Sequence, residues 1–215
     1  MRRMDTTCID LLQFYWQDYS DKGYITALQH LQDLQNKRLI SAICSKFGKG
    51  FIFSLIDTRP LNGMADVCKQ RDVKLLTYGT LCGGFLADKW LDQPQPDLYA
   101  SNLTPSQRKY LDMILQAWGD WPLFQSLLAV LRLIGDRHGG LSISNIATRW
   151  VLDHDFVGAV IIGARLGISE HLDDNRRVDG FKLSEEDNNA IKDVLARSKG
   201  RDMIREIGGC GDEYR

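Results

Sequence analysis

Two stretches of this chain place residue types where they can bind an anion or a ligand. In the first, Val160-Ile161-Ile162 ends in Gly163-Ala164-Arg165, and Ser169 then opens a helix-like segment that runs through Asn175. A buried strand entering a glycine turn and then a helix N-terminus leaves backbone N–H groups and a positive dipole end for a phosphate. Arg165 stands at the strand exit, where a planar guanidinium can clamp a phosphate through two hydrogen bonds. The same spacing also describes a plain strand-to-helix junction with a solvated arginine. In the second stretch, Val73 to Tyr78 reads as a strand and Gly79 to Leu86 as a glycine-containing loop at its C-terminal end.

The elements that must position these residues alternate in type. Ile9 to Trp16 is β-compatible, and Tyr24, Ala27, Leu28, Leu31 and Leu34 then recur at helical spacing. Leu39 to Ile43 is almost wholly apolar, as a parallel strand covered on both faces is. Phe51 to Ile56 reads as another strand only seven residues later, through Cys44-Ser45-Lys46-Phe47-Gly48-Lys49-Gly50. A parallel crossover with its helix needs at least about 10–12 residues. Either the two strands form an antiparallel hairpin or a helix is missing. Helices are expected at 65–71, 106–117, 121–138, from Leu141 through Val151, at 170–175 and at 185–198, the last with a Ser184 N-cap and an acidic first turn. Strands expected near 9–16, 39–43, 51–56, 73–78 and 158–162 make the chain α/β with a mainly parallel sheet, and ligands in that class collect at strand C-termini.

Composition excludes several classes. With 27 basic and 28 acidic residues the formal net charge is −1, which argues against nucleic acid or an anionic membrane surface as partner. No apolar run reaches the ~18–20 residues of a membrane-spanning helix, and the N-terminus lacks the apolar core of a signal peptide. Five scattered cysteines and four histidines show neither a disulfide framework nor metal-ligand spacing. They fit a reducing, cytoplasmic setting and no metal site.

The stretches IDLLQFYWQDY, FSLIDTRP, KLLTYGTLCGGFL, SISNIATRWVLD and VIIGARLGISEHLDDN resemble the aldo-keto reductase family across most of the chain. The resemblance implies a (β/α)8 TIM barrel that binds NADPH, or in some members NADH, over its C-terminal rim and reduces a carbonyl by hydride transfer. Its catalytic tetrad is Asp, Tyr, Lys and His: tyrosine is the general acid, lysine lowers its pKa, and histidine orients the carbonyl. Carried onto matching positions, it implies that Tyr78 stacks on the nicotinamide and that the Gly79 to Gly84 backbone, including Leu81 and Gly83, contacts the pyrophosphate. Ser45 is the remnant of a Ser-Asn pair that grips the carboxamide, with Lys46 at the asparagine and Gly50 at the glutamine of the next strand. Gly163 and Arg165 fall near the adenosine 2′-phosphate, and Glu170, His171, Asp174 and Asn175 on the helix that holds adenine and ribose. His171 replaces a frequent glutamine and Asp174 a frequent glutamate.

The catalytic half departs from that pattern. Tyr15 occupies the histidine position, and a phenol with an ordinary pKa of ~10 is a different catalyst from imidazole. The segment bearing the family's Asp, Tyr and Lys has no counterpart in the chain, and about a helix's worth of sequence is missing between Ser45 and Phe51. Residues 1–215 are therefore expected to form a single incomplete domain, an N-terminally truncated and internally deleted barrel with about five strands that does not close. The expected function is NAD(P)H-dependent carbonyl reduction lost in the isolated chain. The alternative is a non-catalytic NADP-binding or regulatory subunit, and an active site built from Tyr15 and Lys46 ranks last. Partners are a small-molecule carbonyl compound if the chain is active, and copies of itself through open sheet edges.

Overall fold

The first apolar segments build a βαβ unit. The computed structural model describes residues 6–16, 23–47, 51–72, 74–99, 103–163 and 171–202. Strand β1 (Ile9–Trp16) and strand β2 (Ile40–Phe47) run parallel, in register from Ile9 opposite Ile40 to Trp16 opposite Phe47. Helix α1 (Gly23–Asn36) makes the crossover, and its 14 residues suffice for a parallel connection. The chain leaves α1 through Arg38 at a φ of 58° and re-enters the sheet where the Ile9 N–H donates to the Leu39 carbonyl at 2.9 Å.

Among the described residues β2 pairs with no strand other than β1. Strand β3 (Phe51–Ile52) pairs parallel with β4 (Leu75–Tyr78), and β4 pairs parallel with β5 (Val157–Ile161), forming a second sheet in the order β3-β4-β5. The antiparallel hairpin between β2 and β3 is not what forms. The strand expected over 51–56 stops at Ile52 because Ser54 bends the chain: its hydroxyl accepts from the Ile56 and Asp57 N–H groups at 3.2 and 3.1 Å. Leu55 and Ile56 are buried as turn residues, an outcome that apolar character alone does not distinguish from a strand. The same turn buries Asp57, which takes a bidentate guanidinium from Arg59 at 2.6–3.1 Å.

The densest packing lies among helices. Helix α2 (Met64–Arg71) joins β3 to β4. Helix α3 (Pro105–Asp112) starts at a Thr104–Gln107 capping box and ends in a π-helical turn over Met113–Trp118. Helix α4 (Trp121–Arg137) is capped by Asp120 and α5 (Ile143–Leu152) by Ser142, and α6 (Leu172–Arg176) is a short helix before α7 (Glu185–Ala196). Phe124, Leu127, Leu128 and Leu131 of α4, Ile146 of α5 and Ile191 of α7 are buried together. Phe85, Trp90, Trp121 and Phe124 stack in tilted and edge-on contacts with centroids 4.7–6.4 Å apart. By contrast, β5 has a strand neighbour on one edge only among the described residues, and Ile161 is 44% exposed.

One charged cluster ties α7 to α4. Asp187, the third residue of α7, is buried; it caps Ser184 and accepts from Arg137 at 2.5 Å and from the His138 Nε2 at 2.8 Å. Burial alone would raise its pKa, yet the hydrogen bonds from His138, Arg137 and Ser184 hold the carboxyl well below the usual carboxylate range. Because the folded pKa is depressed, this contribution is complete above the unfolded carboxylate pKa and is lost as pH falls toward the folded value. Asp187→Asn is expected to cost about 2–4 kcal/mol at neutral pH by urea denaturation, and its deficit should shrink below about pH 4. An undiminished deficit in acid would remove the charge from this account.

Candidate functional site

The glycine loop leaves β4 under the control of α3. After Tyr78, Gly79 takes a φ of 71°, and Gly83 and Gly84 follow at 65° and 89°. Thr80 fastens the loop to the end of β3 by donating to the Phe53 carbonyl at 3.0 Å. The Cys82 thiol, fully buried, donates to the Ser54 hydroxyl at 3.5 Å, and burial above all pushes its pKa up to about 12. It stays protonated and is no nucleophile at neutral pH.

Tyr110 of α3 fills the space that the first two glycines leave. A Cβ on Gly79 would run into the Tyr110 hydroxyl, and one on Gly83 would lie 3.1 Å from the tyrosine ring and 3.3 Å from the Ser106 carbonyl. Burial, with Cys82, Tyr78 and Asp57 nearby, holds the Tyr110 phenol above its ordinary pKa, so it is a neutral wedge. Gly79 and Gly83 therefore serve packing as well as the turn. Gly84, with nothing within 4 Å of its Cβ position, is where the loop is open to a ligand.

At the end of β5, Gly163 is likewise open. Arg165 and Glu170 lie outside the described residues. Helix α6 begins at Leu172, with His171 as N-cap and Asp173 and Asp174 in its first turn. Those carboxylates stabilise the helix start and offset the positive end that was expected to draw a phosphate. Asp174 also accepts from the Ser142 hydroxyl and the Asn145 amide, both at 2.9 Å, while Asn175 beside it is half-buried.

The first turn of α5 is thus a strut between the two strand ends. On one side Ser142 and Asn145 hold Asp174. On the other, Ser144 donates to the Leu86 carbonyl at 2.8 Å, and the Ile143 N–H donates to Asp88 at 3.0 Å. Asp88 also takes Arg132 of α4 at 2.5 Å. Of these residues sequence reasoning gives only Asp174 a role in the site, although Ser142 three positions before Asn145 is a visible helix-start signal.

The sequence-derived residues divide between the two sheets. Tyr78, Gly79, Leu81, Gly83, Gly163, His171, Asp174 and Asn175 follow the C-terminal ends of β4 and β5. Tyr15 and Ser45 sit at the C-terminal ends of β1 and β2, where Tyr15 pairs in register with Lys46 and Phe14 with Ser45. Lys49 and Gly50 are outside the described residues.

Residues 51–196 match the sequence model of the aldo/keto reductase family. The match opens at the first residue of β3 and leaves out the β1–α1–β2 unit. Flagellar radial spoke protein 5 of Chlamydomonas reinhardtii is 32% identical over 96 residues, which are 44% of this chain and 18% of that protein. Among solved structures, glycerol dehydrogenase from Gluconobacter oxydans superposes with a TM-score of 0.62 at 20% identity, over 91% of this chain and 61% of that one. A holo-form aldo-keto reductase from Bacillus halodurans gives 0.54 at 19% identity, over 90% and 63%. An aldo-keto reductase from Klebsiella pneumoniae in complex with NADPH gives 0.50 at 13% identity, over 90% and 61%. This chain spans less than two thirds of the length of each.

The two kinds of glycine should respond differently to a methyl group. Gly84→Ala carries the left-handed backbone cost alone, about 1–2 kcal/mol, whereas Gly79→Ala adds a collision with Tyr110 of about 1–3 kcal/mol. Denaturant unfolding in a Tyr110→Ala background should bring the two costs together. Equal costs in the parent chain would show that Tyr110 does not set the loop.

Proposed function

Because the chain belongs to the aldo/keto reductase family, we propose that it binds an NADP-type dinucleotide across the ends of β4 and β5 and does not reduce carbonyls by itself. The observation that carries this reading is the pair of open glycines, Gly84 and Gly163, at neighbouring strand ends joined through the first turn of α5. Ligands of parallel α/β folds collect at that edge. The residues fit the group in part. Tyr78 offers a ring for the nicotinamide, the open side of the 79–84 loop suits the pyrophosphate, and the family resemblance assigns Gly163 and Asn175, with Arg165 and Glu170 from outside the described residues, to the adenosine end. His171 is exposed, and both carboxylate oxygens of Asp174 already accept from its α5 partners, which leaves only their remaining lone pairs for a ligand. The Klebsiella neighbour in complex with NADPH supports this choice of cofactor. NADPH, where bound, would supply a hydride.

The chemistry is where the reading turns negative. The resemblance assigns no residue of these 215 to the Asp, Tyr or Lys of the tetrad, and Tyr15 stands at the histidine position in the other sheet. A lone phenol without a lysine to lower its pKa is a poor acid at neutral pH. A second reading, a cofactor-binding partner subunit, is favoured by the likeness to a protein named for the flagellar radial spoke. The edge of β5 that has no strand neighbour among the described residues supports pairing between copies, which sedimentation should register as a concentration-dependent dimer; a monomer at all concentrations would end that expectation.

Calorimetric titration should give saturable NADPH binding, weakened at least about tenfold by Gly84→Glu, which sets a carboxylate against the phosphates. NADPH oxidation with aldehydes or ketones should stay at the buffer rate. No binding at millimolar NADPH would refute the cofactor site, and sustained turnover would refute the inactivity.

A further inference from the structure

An open cavity of about 350 Å3 separates the turn after β3 from α7, and shares no lining residue with the strand ends just described. Leu55 and Ile56 from the turn, Ile191 and Leu195 from α7, and Trp118 and Trp150 line it together. The volume falls within the range of small-molecule sites, and a lining of aliphatic and aromatic side chains is what such sites use to hold an apolar body.

The rim is polar and of one sign. Lys192 of α7 and Arg201 both line the cavity, which includes no carboxylate among its lining residues, and both are exposed side chains. Neither cation has an ion-pair partner among the described residues. Arg201 is held at the rim because the Lys199 N–H donates to the Trp118 carbonyl at 2.7 Å and Gly200 packs on the same indole, its Cβ position 3.6 Å from Cδ1 and 3.9 Å from Nε1. Among the described residues the indole N–H groups of Trp118 and Trp150 donate to no protein acceptor, unlike that of Trp121, which reaches the Gln93 carbonyl. An apolar slot with two cations among its lining residues and no carboxylate calls for a ligand with one apolar end and one anionic end.

We propose that this cavity binds a small amphipathic carboxylate, a medium-chain or arylalkyl acid, with its hydrocarbon between the indoles and its carboxylate at Lys192 and Arg201. A neutral alcohol of equal length would gain the apolar burial but not the charge-assisted hydrogen bonds. The inference is independent of the dinucleotide reading, since the two sites have different residues.

Titration calorimetry and ligand-observed NMR on the full chain, with decanoate and decanol as probes, test it. Decanoate should bind saturably and at least about tenfold more tightly than decanol. Lys192→Met combined with Arg201→Met, both at exposed positions, should bring decanoate down to the level of decanol while leaving decanol unchanged. Ala196→Phe, also exposed, should crowd the cavity and weaken both probes. NADPH should displace neither. Absence of saturable decanoate binding at millimolar concentration, equal losses for both probes in the double variant, or displacement by NADPH would each overturn the proposal.

Discussion

A parallel neighbour in a sheet can be reached only by a connection long enough to climb over one face and return. Between β2 and β3 stand residues 48–50, far short of that requirement. The chain therefore divides: β1 and β2, linked by a full helix, make one sheet, and β3, β4 and β5, linked by α2 and by the long helical excursion, make another. Everything that concerns the site follows from this division. Tyr15 goes with the first sheet, and the glycine loop and the β5 exit go with the second. The family match begins at β3, where regular connections resume.

With neither sheet closed, the helices carry much of the stability. A complete barrel buries layers of side chains inside its strands. Here the largest fully buried residues come mainly from α4, the π-helical turn, the loop after β4 and the turn after β3. Polar connections lock the helices in place: Asp187 joins α7 to the end of α4, and Asp88 and Asp174 receive the first turn of α5 from opposite sides. Each aspartate meets more than one donor, so removing any of them strands several groups at once.

Much of this was legible in the sequence because it depends on local signals. The starts of α5 and α7 follow from Ser142 and Ser184, and the ends of β4 and β5 follow from Gly79 and Gly163. The glycine loop could be located at the end of β4, but its packing could not, because Tyr110 arrives from about thirty positions further along and no local pattern announces the contact. Asp174 illustrates the same limit: a carboxylate in a cofactor motif also closes a hydrogen-bond network with a helix that precedes it by some thirty residues. The sequence pattern extends the strand at Phe51 past its end at Ile52 because Leu55 and Ile56 are as apolar in a buried turn as in a strand. Ser54, whose hydroxyl makes that turn, was the residue to weigh.

The wedge that Tyr110 drives into the glycine loop has a consequence for recognition. Glycine-rich segments lose more backbone freedom on ordering than any others, and in many binding sites the ligand must impose that order at the expense of affinity. In this chain the folding of α3 imposes it beforehand. A ligand bound as proposed would meet a loop already shaped, so the association would forfeit little conformational entropy there, and affinity would rest on contacts at Gly84 and beyond. Preorganisation of this kind holds the loop's shape independently of whatever chemistry its surroundings support.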